Sequence, residues 1–274
     1  MLKILLALSL IFALAACKDS SNSNSSSIDE PAISNEPTSI SYTVLNETPH
    51  DTNSYTEGLL VHDGKLFESS GAPQDEPNTR SVFGVVDPAT GKISVKAELD
   101  RKVFFGEGIT FLNGKVYQLT WTNKVGFIYD AKTFKKIGQF SFPSKEGWGM
   151  TTDGTNLIMS DGTSNLTFLD PNTFKTVKIL SVTDNNGPVG NVNELEYIKG
   201  SIYANVYQAT YIIRIDPANG KVTGKADFSK LDKQAKMKYA DAEYMNGIAY
   251  DSAKNKLYIT GKFWPSIYEI RLNE

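Results

Sequence analysis

One phrase returns five times along this chain, and that return limits what the chain can fold into. A polar residue beside Gly or a second polar residue opens an apolar run, and a tight turn and a second strand follow. The phrase reads YTEGLLVHDGKLFESS from Tyr55, FGEGITFLNGKVYQLTW from Phe105 and EGWGMTTDGTNLIMSDG from Glu146. It reappears as NELEYIKGSIYANVY from Asn193 and NGIAYDSAKNKLYITGK from Asn246. A second column repeats as Asp87-Pro-Ala-Thr-Gly, Asp130-Ala-Lys-Thr-Phe, Asp170-Pro-Asn-Thr-Phe and Asp216-Pro-Ala-Asn-Gly. Repetition every ~40–50 residues in strand-rich sequence indicates a propeller or an array.

Within each unit the strands are short and separated by Asp-Gly, Asn-Gly or Lys-Gly turns. Third strands are expected at Val82–Val86, Phe127–Tyr129, Leu166–Leu169 and Tyr211–Ile215, and fourth strands at positions such as Ile93–Leu99 and Lys175–Leu180. The fifth unit reaches Leu272 with no residues left for a fourth strand, and Ser39–Leu45 (SISYTVL) can supply it. Pairing strands from the two ends of the chain removes an open sheet edge. The expected fold is therefore all-β, a five-bladed β-propeller closed by an N-terminal strand and spanning residues 38–274. A short surface helix is expected within LDKQAKMKY, and longer loops at Pro73–Thr79 and Val182–Val192.

The N-terminus reads as a processing signal. Lys3 precedes an apolar run from Ile4 to Leu14, too short to span a bilayer, and Leu14-Ala15-Ala16-Cys17 follows. Residues 1–16 are expected to be a lipoprotein signal peptide, with Cys17 lipidated as the mature N-terminus. Residues 17–37 then form a Ser/Asn/Pro-rich flexible tether. This order of parts implies a bacterial cell-envelope protein held to a membrane by its lipid.

Composition excludes much chemistry. Cys17 is the single cysteine, so the folded domain has no disulfide, thiolate ligand or cysteine nucleophile. His50 and His62 are the only histidines, which rules out a three-His zinc site, and both read as incidental. A net charge of −3 without a basic stripe disfavours nucleic acid as a partner. Nothing in the chain signals oligomerisation, and a monomer is expected.

The repeat column Glu57, Glu107, Asn193 and Asn246, with Glu146-Gly147 filling it in the third unit, opens the innermost strand of each blade. These residues should converge near the axis, with Trp121, Trp148, Tyr207, Lys262 and Trp264 around them. An aromatic, water-poor pocket raises a carboxyl pKa and suits it to proton transfer. Glu107 is the candidate, beside Phe104, Phe105, Trp121 and Trp148. Asp153 and Asp161 read as turn residues, and Trp264-Pro265 as packing at the end of the ring.

In register, Phe-Gly-Glu-Gly-Ile-Thr with Tyr-Gln-Leu-Thr-Trp, Glu-Gly-Trp-Gly-Met-Thr, Asn-Glu-Leu-Glu-Tyr and Asn-Gly-Ile-Ala-Tyr-Asp with Thr-Gly-Lys-Phe-Trp-Pro resemble the plant and bacterial type of glutaminyl-peptide cyclotransferase, over roughly Thr48 to Leu272. The resemblance implies a five-bladed propeller that converts N-terminal glutamine of peptides or proteins to pyroglutamate with release of ammonia. It implies Glu107 as the catalytic acid/base. Trp121, Trp148 and Tyr207 would form the substrate box, with Asn193 or Lys262 stabilising the oxyanion. Family members often carry Phe-Thr-Gln-Gly where this chain has Tyr55-Thr56-Glu57-Gly58, and often Trp at Tyr207. Tyr55 and Glu57 thus join the substrate-binding set, and Glu57 adds a carboxylate able to bind the substrate's ammonium. The scheme needs no metal or other cofactor and leaves room for a structural ion on the axis. Two other readings use the same residues. One is a non-catalytic envelope propeller that binds peptide or glycan. The other is a lactonase-type hydrolase with Ca²⁺ held by Glu57, Glu107, Asn193 and Asn246.

Overall fold

The computed structural model describes residues 36–273. The expected signal peptide, Cys17 and nearly all of the tether lie outside the described residues. Five antiparallel sheets follow one another along the chain. Their innermost strands are Tyr55–His62 in blade 1, Gly106–Leu112 in blade 2, Met150–Thr152 in blade 3, Val192–Ile198 in blade 4 and Met245–Asp251 in blade 5. Each inner strand packs against the inner strands of the blades beside it, so the five enclose one axis. The expected five-bladed propeller is present.

The closing strand is longer and later than expected. Ser41–Pro49, rather than Ser39–Leu45, pairs antiparallel with Ser266–Asn273 and completes blade 5. Thr38–Ser39 instead pairs parallel with the outer strand of blade 4. Buried Ile40 stands at the step between the two sheets, with its N–H bonded to Lys225 O at 2.8 Å. The surface helix forms over Ser229–Lys238. Residues 73–79 form a loop, as expected, whereas the segment after Val182 folds back as a small hairpin, Thr183–Asp184 on Gly187–Pro188.

The repeated Asp column caps the turn between the third and fourth strands. Asp87 Oδ1 accepts from Ala89 N and Thr90 N at 2.8 and 3.1 Å, and Asp170 Oδ1 from Asn172 N and Thr173 N at 3.0 and 2.7 Å. Such side-chain bonds substitute for turn backbone bonds. The last residue of the column has positive φ whether it is Gly91 or Gly220, at 72° and 79°, or Phe134 or Phe174, at 56° and 55°. A bulky residue in that region is strained. Packing offsets the strain: Phe174 stacks on Phe140 at 4.5 Å between centroids, and Phe134 lies against Phe67 and Phe83.

Four apolar clusters fill the seams between blades 1 and 2, 2 and 3, 3 and 4, and 4 and 5. At the seam between blades 5 and 1 the buried groups include a polar network. His50 directly follows the closing strand and is fully enclosed; its Nδ1 lies 2.7 Å from Trp264 O and its Nε2 3.1 Å from both Glu68 oxygens. Ser54 and Thr56 hydroxyls also donate to Glu68. Both ring nitrogens face acceptors, so His50 is an imidazolium. His50 is therefore structural rather than incidental.

The axis is lined by backbone edges that need partners. Glu194 Oε1 and Oε2 accept from Leu59 N of blade 1 and Ile248 N of blade 5 at 3.2 and 2.8 Å. Glu196 accepts from Tyr250 N at 2.9 Å. Burial pushes the Glu194 carboxyl well above its ordinary range and that of Glu196 up to about 8.

Burial alone would lower the His50 pKa, but the Glu68 carboxylate and the Trp264 carbonyl outweigh it and hold the pKa above the ordinary value. The stability from this pair is fully present below the unfolded-state pKa of about 6.5 and is lost as pH rises through the higher folded value. Glu68→Gln leaves a buried charge uncompensated and should destabilise the domain by about 3–5 kcal/mol at pH 6. The gap from the parent should narrow as pH climbs above that of free histidine. Denaturant melts of both proteins across pH check this, and a gap that does not change with pH would contradict it.

Candidate active site

Four of the five inner strands carry an irregularity at the same place. The pairing with the second strand slips between Thr56 and Gly58, Gly106 and Ile109, Val192 and Leu195, and Met245 and Ile248. Such β-bulges re-aim side chains and often border active sites. The bulged residues are Glu57, Glu107, Asn193 and Asn246, all buried, as the repeat column required. In blade 3 the corresponding residue is Trp148, followed by Gly149; Glu146-Gly147, expected to occupy the column, lies two residues earlier, outside the strand. Trp148 N and O still bond Ser160 O and Gly108 N, at 3.1 and 2.8 Å, as an inner-strand residue does.

The residue after the column is Gly in four blades, as Gly58, Gly108, Gly149 and Gly247. A Cβ on Gly108 would lie 2.4 Å from Met150 N, and one on Gly149 2.2 Å from Asn193 O. At these two positions the neighbouring blade comes too close for a side chain.

Four of the column residues, Glu57, Glu107, Trp148 and Asn193, line a pocket of about 480 Å³. All eight predicted catalytic and substrate-binding residues line it: Glu107, Tyr55, Glu57, Trp121, Trp148, Asn193, Tyr207 and Lys262. The walls are aromatic. Trp121 packs edge-on against Phe105 at 5.8 Å, and Phe105 against Tyr55 at 6.0 Å. Opposite them, Trp148 meets Tyr207 at 5.6 Å and Tyr207 meets Tyr244 at 5.3 Å. The 73–79 loop forms the rim and is fixed from blade 2's approach by Arg101, whose guanidinium donates to Pro73, Glu76, Pro77 and Thr79 carbonyls at 2.7–3.2 Å.

At the floor, Lys262 Nζ is ion-paired with Glu57 Oε1 and lies 4.0 Å from the Tyr55 ring centroid. Asn246 Nδ2 donates to Glu57 Oε2 at 3.2 Å and to Thr56 O at 2.9 Å. Glu107 hydrogen-bonds to Glu57. Burial pushes both carboxyls up. Lys262 and the Glu107 bond restrain the rise at Glu57, whereas the Glu57 charge drives Glu107 well above the ordinary range. Of the two carboxyls, Glu107 is thus the one driven further toward its neutral form. Asn193 Oδ1 is enclosed with no partner in the protein, although most buried amide oxygens have one.

Support for the floor comes from a polar column in the second strands that the sequence reading did not single out. Ser69 Oγ of blade 1 donates to Glu107 O at 2.6 Å, and Ser160 Oγ of blade 3 to Asn193 O at 2.7 Å. Asn205 Oδ1 of blade 4 accepts from Gly247 N at 2.9 Å. Each anchors the bulge of the next blade. The signal was available: these residues interrupt apolar strands at one repeat position. Glu146, Asn246 and Arg101 also escaped as site residues. Among the described residues no three His, Cys, Asp or Glu side chains group to hold a metal ion.

Glu57→Gln removes the charge that favours protonated Glu107 and frees Lys262 to stabilise the carboxylate. The Glu107 titration should move to lower pH, which carboxyl-selective ¹³C NMR reads directly; an unmoved titration would contradict the upward push of Glu57 on Glu107.

A profile of the glutamine cyclotransferase family matches residues 9–272. The chain is 40% identical over 233 residues to a glutaminyl-peptide cyclotransferase of Arabidopsis thaliana, covering 84% of this chain and 71% of that one. Its structure resembles the crystal structure of Myxococcus xanthus glutaminyl cyclase with a TM-score of 0.79 and 31% identity, over 87% of this chain and 99% of that chain. By sequence and by fold alike, the chain belongs to the glutamine cyclotransferase family.

Proposed function

We propose that this protein is a glutaminyl-peptide cyclotransferase, which closes the N-terminal glutamine of peptides and proteins to pyroglutamate and releases ammonia. The observation that carries the reading is the buried Glu107 carboxyl at the base of an aromatic pocket, where burial and the neighbouring Glu57 push its pKa well above the ordinary range. Cyclisation joins the α-amine nitrogen to the side-chain carbonyl carbon and breaks the bond from that carbon to the amide nitrogen. The attacking nitrogen must lose a proton and the departing nitrogen must gain one. Glu107 delivers its proton to the leaving nitrogen while the Glu57–Glu107 pair takes up the amine's, so the pair ends with the single proton it began with. Nucleophile and electrophile lie in one residue, and the protein need only hold a near-attack rotamer and move protons. Trp121, Trp148 and Tyr207 flank the glutamine side chain, Tyr55 and Glu57 lie beside its amine, and Asn193 and Lys262 face the oxygen that develops charge.

No catalytic metal enters this scheme, because Lys262 supplies the positive charge beside Glu57 that a cation would bring. We further propose attachment to a bacterial envelope membrane through lipid on Cys17, supported by Lys3, the apolar run to Leu14 and the Leu-Ala-Ala-Cys sequence. Cys17→Ser should move the expressed protein from the detergent phase to the aqueous phase on Triton X-114 partition; unchanged partition would remove the anchor.

Ammonia release from Gln-Ala by the soluble domain should survive EDTA. Glu107→Gln should lower kcat about 10²–10⁴-fold with a smaller change in KM. A folded wild-type domain that releases no ammonia from any N-terminal glutamine peptide would defeat the enzyme reading and leave a peptide- or glycan-binding propeller.

A further inference from the structure

Two of the three tryptophans share a single acceptor. Glu146 lies in the connection between blades 2 and 3, and its Oε2 accepts Trp121 Nε1–H at 2.7 Å and Trp148 Nε1–H at 2.8 Å. An indole has one polar handle, and it can only donate. Here both handles converge on one oxygen, although the rings belong to different blades. The backbone reinforces the approach: Gly147 N donates to Trp121 O at 2.8 Å. A Cβ on Gly147 would lie 2.8 Å from the Phe142 ring and 2.9 Å from Thr120 O, so the segment carrying Glu146 comes this close only because that residue is Gly.

The two rings differ in how much else holds them. Trp148 lies against Gly162, where a Cβ would fall 2.6 Å from the indole, and against Tyr207. Trp121 is 43% exposed and has Phe105 at its edge. Its orientation therefore depends on the Glu146 bond. A charge-assisted bond is stronger than a neutral one, and a doubly accepting carboxylate oxygen sets the angle between the two donors.

We infer that Glu146 is the positioning residue of the aromatic wall, a bridge that fixes Trp121 relative to Trp148 and so sets the width of the slot that receives the glutamine side chain. The inference rests on the proposed reading of these tryptophans as substrate walls. Glu146 acts through the rings rather than on the reacting atoms. Its charge has a second effect. The Glu107 pKa is pushed up by burial and by Glu57, against Lys262, with Tyr55 also nearby, and the Glu146 carboxylate adds to the rise.

Bridge and charge are separable by substitution. Glu146→Gln keeps an oxygen for the indoles and removes the charge; Glu146→Leu removes both, and Glu146→Ala does the same if Leu does not fold. Tryptophan emission with acrylamide quenching reads ring order directly. Trp264 has no exposure and is bonded to Glu243 O at 3.1 Å, so a change reports Trp121 and Trp148. E146L should shift emission to the red, quench more readily and raise KM for Gln-Ala about ten- to hundredfold, with a smaller fall in kcat. E146Q should keep near wild-type emission and KM, while the limb of its pH profile set by Glu107 moves to lower pH. Wild-type emission and KM in E146L would overturn the bridge, and an unmoved limb in E146Q would overturn the charge effect. Loss of ammonia release in the wild type defeats the functional reading instead, and the emission arm then still decides whether Glu146 orders the two rings.

Discussion

Five strands can surround one axis only if their backbones nearly touch, and the rest of this structure follows from that crowding. Where the inner strands converge, a methyl on Gly108 or Gly149 would overlap the next blade and one on Gly58 or Gly247 would be tightly crowded. Blade 4 has Glu194 instead, and its carboxylate fills the axis by accepting backbone N–H groups from blades 1 and 5. Four of these positions stand beside a bulge, and the bulged Glu57, Glu107 and Asn193 are turned toward the pocket. The glycine ring and the polar floor are two faces of one packing solution.

The same crowding explains the chemistry. Residues held by a bulge have little freedom, and the second-strand Ser69, Ser160 and Asn205 tie the bulged segments to their neighbours. Glu57 and Glu107 are consequently held against each other in a dry site where two negative charges are too costly. Glu107 is the carboxyl driven further toward its neutral form, while Lys262 pairs with Glu57 and Asn246 donates to it. The pocket is set for proton transfer before any substrate arrives, and little reorganisation remains for the reaction itself.

Much of this was legible in the sequence because a propeller repeats its instructions. The blade count and the four bulged column residues follow from aligning five units, and the roles expected of the eight candidate residues that line the pocket follow from the resemblance to the family. The third unit went astray because Glu146-Gly147 imitates the Glu-Gly pair of the other blades, while the residue that carries the register is Trp148 before Gly149. Bulges leave no mark of their own in residue identity, so a two-residue offset looks equally good. Ile40 shows a related limit: nothing in SISYTVL says that the chain changes sheets in its middle. His50 was passed over because one histidine has no pattern. Its meaning depends on Glu68 and Trp264, which are remote in sequence and meet it only when the ring closes.

That closure has a consequence for the order of assembly. Blade 5 takes its outermost strand from Ser41–Pro49 and its other three from Met245–Asn273, so its first-made strand must wait for its last-made ones. Blades 1, 2 and 3 can each form from contiguous chain as it emerges. The seam that carries His50 and Glu68 cannot exist until nearly the whole chain has been delivered. A chain delivered residue by residue would first stand as an open arc and become a ring only at the end, when its pocket also first becomes complete, since Lys262 arrives with the final blade.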